Sequence, residues 1–336
     1  MPETQVYEIQ DFALASGDTL PVARIAYRTY GTLNDARDNA VLFPTWFTSR
    51  LATNEWLIGP GRALDTERFF IVSVALLGNG ESSSPSNTPA PLDGPRFPPI
   101  DVIDNVEAQH ALVTRGLGIA HLHLVIGRSM GAQTAFQWAC RYPDMVARLL
   151  PFTGSARTTP HNYAFLAGVE AALRTDQTFA DGDYTTPPLA GLRTVGLLYA
   201  GWAMSQRFYR DDGHLAFEPD IDSYLEKRWA GNFTDRDAND VLAQIGAWKR
   251  ADVSRIAPYG GDWEAALAAM TMPAIVMPSA TDLYFPPEDS ARAVAGMPNA
   301  ELRIIPSDWG HRAGGPGSPA NDIAFIEQAI RDVLAR

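Results

Sequence analysis

HLHLVIGRSMGAQTAFQWA, residues 121–139, changes its period halfway along. The first part is an apolar run (Leu122, Leu124, Val125, Ile126) of strand length, and the last part sets Ala132, Ala135, Phe136 and Ala139 at helical spacing. Gly127-Arg128-Ser129-Met130-Gly131 joins the two. A strand that turns sharply into a helix through Gly-x-Ser-x-Gly lifts the central serine out of the turn on a strained backbone, and only small residues let strand and helix pass so closely. Three fixed positions recur by chance in roughly one in ten chains of this length, so the flanks carry the reading. Ser129 is therefore expected to be an exposed nucleophile.

Outward from this turn, short β-rich runs at 23–30, 40–45, 69–75 and 121–126 alternate with loops and a helix at 102–117. Runs at 274–278 and 301–305 return near the end, before a last helix at 322–335. Such alternation predicts a mostly parallel α/β sheet with helices on both faces. Between about 156 and 270 the pattern becomes helical and rich in aromatics (Phe165, Tyr199, Trp202, Phe208, Tyr209, Tyr224, Trp229, Phe233, Trp248). The expected organisation is a core of residues 1–155 and 271–336 with a helical lid inserted at 156–270. Residues 78–99 read as a long Ser/Pro/Asn-rich loop.

The 336 residues, 46% hydrophobic and 10% aromatic, can bury a large core. With 27 Lys and Arg against 39 Asp and Glu the net charge is −12, which argues against nucleic acid or an anionic membrane as partner. One cysteine, Cys140, excludes an internal disulfide and any cysteine cluster for zinc or iron–sulfur. It lies on the helix after the elbow and reads as a buried thiol. No apolar run of about 18 residues occurs, and residues 1–11 carry no basic and apolar leader pattern, so a cytoplasmic location is expected. Neither His-Glu-x-x-His nor a Cys pair is present, and no metal or redox cofactor is implied.

A serine nucleophile needs a general base, and the base needs a carboxylate to fix its tautomer. In the α/β-hydrolase fold, the fold class expected here, these follow in the order Ser, Asp or Glu, His. His110, His121 and His123 precede Ser129, and His161 and His214 fall in the inserted segment. His311 follows the last strand on a glycine-rich loop and is selected as the base. Asp282 follows the preceding strand and is selected as its carboxylate. Glu288 and Asp289 look like helix N-terminal acids, and Asp308 is expected to hold its own loop. The oxyanion hole should use the N–H of Met130 and one from the loop after the strand ending near Thr45, from Phe47 or Trp46.

Tyr27 to Asn34 (YRTYGTLN), Gly59-Pro60-Gly61 with Asp65-Thr66, Phe97-Pro98 with Asp101 and Asp104, Ala108-Gln109, Gly127 to Gln133 with Trp138-Ala139 and Tyr142-Pro143-Asp144, and Asp282 to Pro287 (DLYFPP) together give the chain a specific resemblance. It resembles the homoserine O-acetyltransferase family of α/β-hydrolase-fold proteins over most of its length outside the inserted segment. The resemblance implies Ser129, Asp282 and His311 as nucleophile, acid and base, an oxyanion donor near Phe47, and a homodimer. It also implies an Asp after the catalytic His for the homoserine amine, where this chain has Arg312. A lid Arg for the homoserine carboxylate is implied where Gly196 stands, with Arg193 nearby. Arg128 replaces a small residue; a structural salt bridge is favoured for it over contact with an acidic group on a substrate.

These departures bring the chain nearer to family members that hydrolyse short acyl esters. Hydrolysis of a small-molecule acetyl ester through an acyl-serine intermediate is the expected activity. The alternative is transfer of acetyl from acetyl-CoA to homoserine or another alcohol. A catalytically silent protein on the same fold would be expected to lose a triad member, and all three are present.

Overall fold

The computed structural model describes residues 2–336. Eight strands form one sheet: β1 Gln5–Ala13, β2 Thr19–Tyr30, β3 Ala40–Pro44, β4 Phe70–Val74, β5 Leu124–Arg128, β6 Leu149–Phe152, β7 Ala274–Val276 and β8 Ala300–Leu302. Their spatial order is β1-β2-β4-β3-β5-β6-β7-β8. β1 and β2 form an antiparallel hairpin and β2 is antiparallel to β4, whereas every pairing from β4 to β8 is parallel.

The helices are α1 Val102–Ala111, α2 Met130–Arg141, α3 Pro160–Arg174, α4 Leu189–Ala203, α5 Gln206–Arg210, α6 Ile221–Tyr224, α7 Ala238–Arg250, α8 Trp263–Ala268, α9 Pro287–Gly296 and α10 Ala320–Leu334. Alternate strand residues feed two cores, as covering both faces of a parallel sheet requires. Val41, Phe43, Leu124, Ile126, Leu150 and Ile275 pack under Ile326, Ile330 and Val333 of α10. Leu42, Val72, Val125 and Leu149 face the other way, toward Val106 of α1 and Phe136 of α2. Helices α3 to α8 all lie between β6 and β7 in the chain.

Two strands lie outside the runs that periodicity picks out. β1 leaves most of its residues exposed and so has no apolar run. β6 is four residues long and contains Pro151, a residue that usually argues against a strand. The helix expected over 102–117 is α-helical to Ala111 and continues as a π-turn over Leu112–Gly116.

Inserted and core segments meet through aromatic stacks. Phe47, after β3, lies against Tyr199 of α4 with ring centroids 5.6 Å apart and planes 10° apart. Phe165 of α3 stacks on Tyr284 at 5.1 Å and 7°. Asn162 Nδ2 donates to Tyr284 O at 2.6 Å, tying α3 to the loop after β7.

Candidate active site

Four C-terminal strand ends converge. Phe47 follows β3, Ser129 directly follows β5, Asp282 lies on the loop after β7 and His311 on the loop after β8. β3 and β5 are neighbours at the point where the strand order reverses, the crevice where open α/β sheets receive ligands.

The elbow shows why its residues are small. Ser129 has φ 55° and ψ −124°, outside the ordinary wells for an L-residue. A Cβ on Gly127 would lie 2.1 Å from Gly131 O, and one on Gly131 would lie 2.6 Å from Thr45 O. Both are hard clashes with backbone. Gly154, from the loop after β6, is confined in the same way: a Cβ there would lie 2.7 Å from Ser129 O.

His311 Nε2 lies 2.9 Å from Ser129 Oγ, and His311 Nδ1 lies 2.7 Å from Asp282 Oδ2. All three residues are buried, at 2%, 4% and 4% exposure for Ser129, Asp282 and His311. The other oxygen of Asp282 accepts the N–H groups of Tyr284 at 3.1 Å and Phe285 at 3.0 Å, which locks the carboxylate's orientation. An ionised Asp282 accepts the Nδ1 proton and leaves Nε2 free to accept from the serine hydroxyl. Burial lowers the His311 pKa below its ordinary value; Asp282 opposes this, and Arg128 and Arg312 add to it. The imidazole is therefore neutral at pH 7, as a general base must be.

The N–H of Met130, first residue of α2, and the N–H of Phe47 donate to no acceptor among the described residues. Free donors on these two loops suit an oxyanion hole, whose ligand is absent until reaction.

A cavity of about 300 Å³ opens beside Ser129. Trp46, Phe47, Arg128, His311 and Arg312 contribute from the core, and Tyr199, Trp229, Phe233 and Trp248 from the inserted segment. Other aromatics of that segment, such as Phe208 and Tyr224, pack on one another instead. The Tyr199 hydroxyl and the Trp248 Nε1 are buried without a partner. Neither residue stands out in the sequence, where core packing alone accounts for such aromatics. Tyr284, whose ring centroid is 4.2 Å from that of His311, is likewise invisible as a site residue.

The salt bridge favoured for Arg128 is absent among the described residues. Its Nη2 donates to His311 O at 2.7 Å, and its guanidinium carbon sits 5.0 Å from the Trp46 ring centroid. No carboxylate is in ion-pair range because the flanking loops present carbonyls and aromatic faces. Arg193 does not reach the cavity either: it pairs with Glu226 at the surface. Gly196 leaves no room for a side chain, since a Cβ there would lie 2.0 Å from Trp229 O. Asp308 pairs with Arg207 of α5, at 3.3 Å. Cys140 is buried. Among the described residues, no three His, Cys, Asp or Glu side chains gather as a metal site, and no helix is long and apolar enough to cross a membrane.

A family model for the alpha/beta hydrolase fold matches residues 41–314. The chain is 36% identical over 336 residues to an ethyl acetate hydrolase of Pseudomonas veronii, covering 98% of this chain and 95% of that protein. It is 32% identical over 344 residues to a homoserine O-acetyltransferase of Trichormus variabilis, covering 98% and 93%. Among solved structures, the acetyl esterase MekB superposes with a TM-score of 0.96 at 34% identity, covering 99% of this chain and 97% of that one.

Proposed function

The chain belongs to the α/β-hydrolase family, and from that premise we propose that it hydrolyses short-chain esters, acetyl esters foremost, through an acyl–Ser129 intermediate. The observation that carries the proposal is the buried hydrogen-bonded line from Asp282 through His311 to Ser129. His311 takes the Ser129 proton as Oγ attacks the ester carbonyl, then returns it to the departing alcohol. Water enters, His311 accepts its proton, and the acid leaves with Ser129 restored. Asp282 holds the imidazole and stabilises the imidazolium, and the Met130 and Phe47 N–H groups meet the oxyanion. The inserted helices act as a lid, with Tyr199, Trp229, Phe233 and Trp248 forming an aromatic roof over a small pocket. Its size suits a short acyl group and a small alcohol, and Trp46 bounds it from the core side. The ethyl acetate hydrolase and acetyl esterase relatives support the same reading.

The homoserine O-acetyltransferase relative keeps acetyl transfer from acetyl-CoA as the second reading. Arg312 weighs against it: a cation lines the cavity where the resemblance implies a carboxylate for the homoserine amine. Gly196 weighs against it too, because its packing excludes the arginine implied for the homoserine carboxylate. The deciding experiment supplies acetyl groups as propyl acetate or as acetyl-CoA, each with and without homoserine, with Ser129→Ala as blank. Free acetate from the ester, indifferent to homoserine, is the expected outcome. Efficient formation of O-acetylhomoserine would overturn the hydrolase reading.

A further inference from the structure

Two arginines line the catalytic cavity without an acidic partner. Arg128 is 3% exposed, forms no ion pair among the described residues and leaves its Nε without an acceptor. Its hydrogen bond goes to a carbonyl, His311 O. Arg312 also donates to a carbonyl, Pro316 O at 3.2 Å. The third arginine on the wall, Arg236, is already paired with Asp235 at 2.8 Å.

The charges do not cancel within the site. Burial, and secondarily the cation of Arg312, lower the Arg128 pKa to about 10, so the group is still charged at neutral pH. Asp282 is the carboxylate whose charge reaches Arg128, and each of its oxygens is already committed, one to His311 and one to two backbone N–H groups. Two guanidinium groups thus line one cavity whose wall carries no carboxylate. A buried guanidinium lacking a counter-charge is costly, and its planar fork matches a carboxylate in both charge and shape. Trp46 beneath Arg128, and Trp229 with its centroid 6.0 Å from the Arg312 guanidinium carbon, give the two forks aromatic backing.

We propose that Arg128 and Arg312 form an anion subsite beside Ser129 and that it takes a carboxylate, carried by the ester substrate or released as the acid product. The subsite rests on the hydrolase reading above and names the kind of molecule the cavity selects. Arg312 then does the opposite of what an acidic residue at its position would do: it rejects an ammonium and attracts an acid.

The test compares molecules matched in size and different in charge. Hydrolysis of 3-acetoxypropanoate and 3-acetoxypropanamide is measured for wild type, Arg312→Met and Arg128→Met, and acetate and acetamide are compared as inhibitors of propyl acetate hydrolysis. The expected result is a preference of about tenfold or more for one carboxylate over its amide, in kcat/KM or in Ki, falling toward parity in Arg312→Met. Preference for 3-acetoxypropanoate assigns the subsite to the substrate, and preference for acetate alone assigns it to the product. Absence of either preference, or an undiminished one in the arginine variants, overturns the proposal. Arg312→Met keeps the test decisive if Arg128→Met does not fold, because Arg128 also holds the His311 loop. Should wild type fail to hydrolyse propyl acetate, the hydrolase reading fails by itself; calorimetric binding of acetate against acetamide to Ser129→Ala then decides the subsite separately.

Discussion

At the scale of single residues, the proposed mechanism makes His311 the group that sets the pH dependence. Its pKa is held below the ordinary histidine value of 6.5, mainly by burial. Only the neutral form accepts the Ser129 proton, so kcat/KM for propyl acetate should rise with pH and reach its plateau through a midpoint below about 6.5. Arg312 disfavours the imidazolium; Arg312→Met should move that midpoint upward. A midpoint that stays put or falls would mean that the Arg312 charge is screened from the ring. Ser129→Ala should lower kcat by about 10⁴-fold or more and abolish labelling by a serine-directed phosphonate. Ser129, Asp282 and His311 could be singled out as candidates because the chemistry demands an order of groups along the chain, and the rivals Glu288, Asp289 and Asp308 read better as helix-terminal or loop-holding acids. Arg128 was not legible. Whether a buried arginine has a carboxylate in reach depends on loops far away in sequence, here those carrying Trp46, His311 and Gly315.

Among the elements, α4 shows how tightly the inserted segment is fitted. Gly196 lets the helix lie against the backbone at Trp229, and Tyr199, one turn later, reaches Phe47. Gly196→Ala should cost about 1–3 kcal/mol of stability, read as a lower midpoint in thermal or denaturant unfolding. Because α4 also carries Tyr199 into the cavity, KM should rise in the same variant. Wild-type stability would show that α4 and the Trp229 segment can separate without loss. Strands whose two faces are covered, such as β3 and β5, could be read from apolar runs alone. β1, mostly exposed, and β6, short and interrupted by proline, could not, because their place is set by neighbouring strands rather than by their own composition. Helices of the inserted segment were readable as helices; which aromatics roof the cavity and which pack on each other depends on how the helices are arranged, which no local pattern encodes.

For the molecule as a whole, the resemblance to homoserine O-acetyltransferases carries an expectation of a homodimer. Of the eight large apolar side chains left exposed among the described residues, five belong to the inserted segment: Tyr163, Leu189, Leu197, Leu215 and Ile221. Light scattering should therefore give twice the 36.6 kDa chain mass, and charged substitutions at Leu189 and Leu197 should shift it toward one chain; a wild-type monomer would refute the assembly. The order of the strands has a kinetic consequence. β6 and β7 are sheet neighbours, yet α3 to α8 all intervene in the chain, so their pairing closes a very long loop and is paid for late in folding. Asp282 and His311 both lie beyond that closure, while Ser129 lies before it. During refolding from denaturant, helical ellipticity should return ahead of esterase turnover, and turnover should appear together with the slowest phase of burial of the C-terminal strands. Simultaneous recovery of both signals would mean that the two halves of the sheet assemble in one step. In the expected, sequential case the enzyme is its own reporter: under the proposed mechanism, a chain that has not yet joined the two parts of its sheet has a nucleophile and no base.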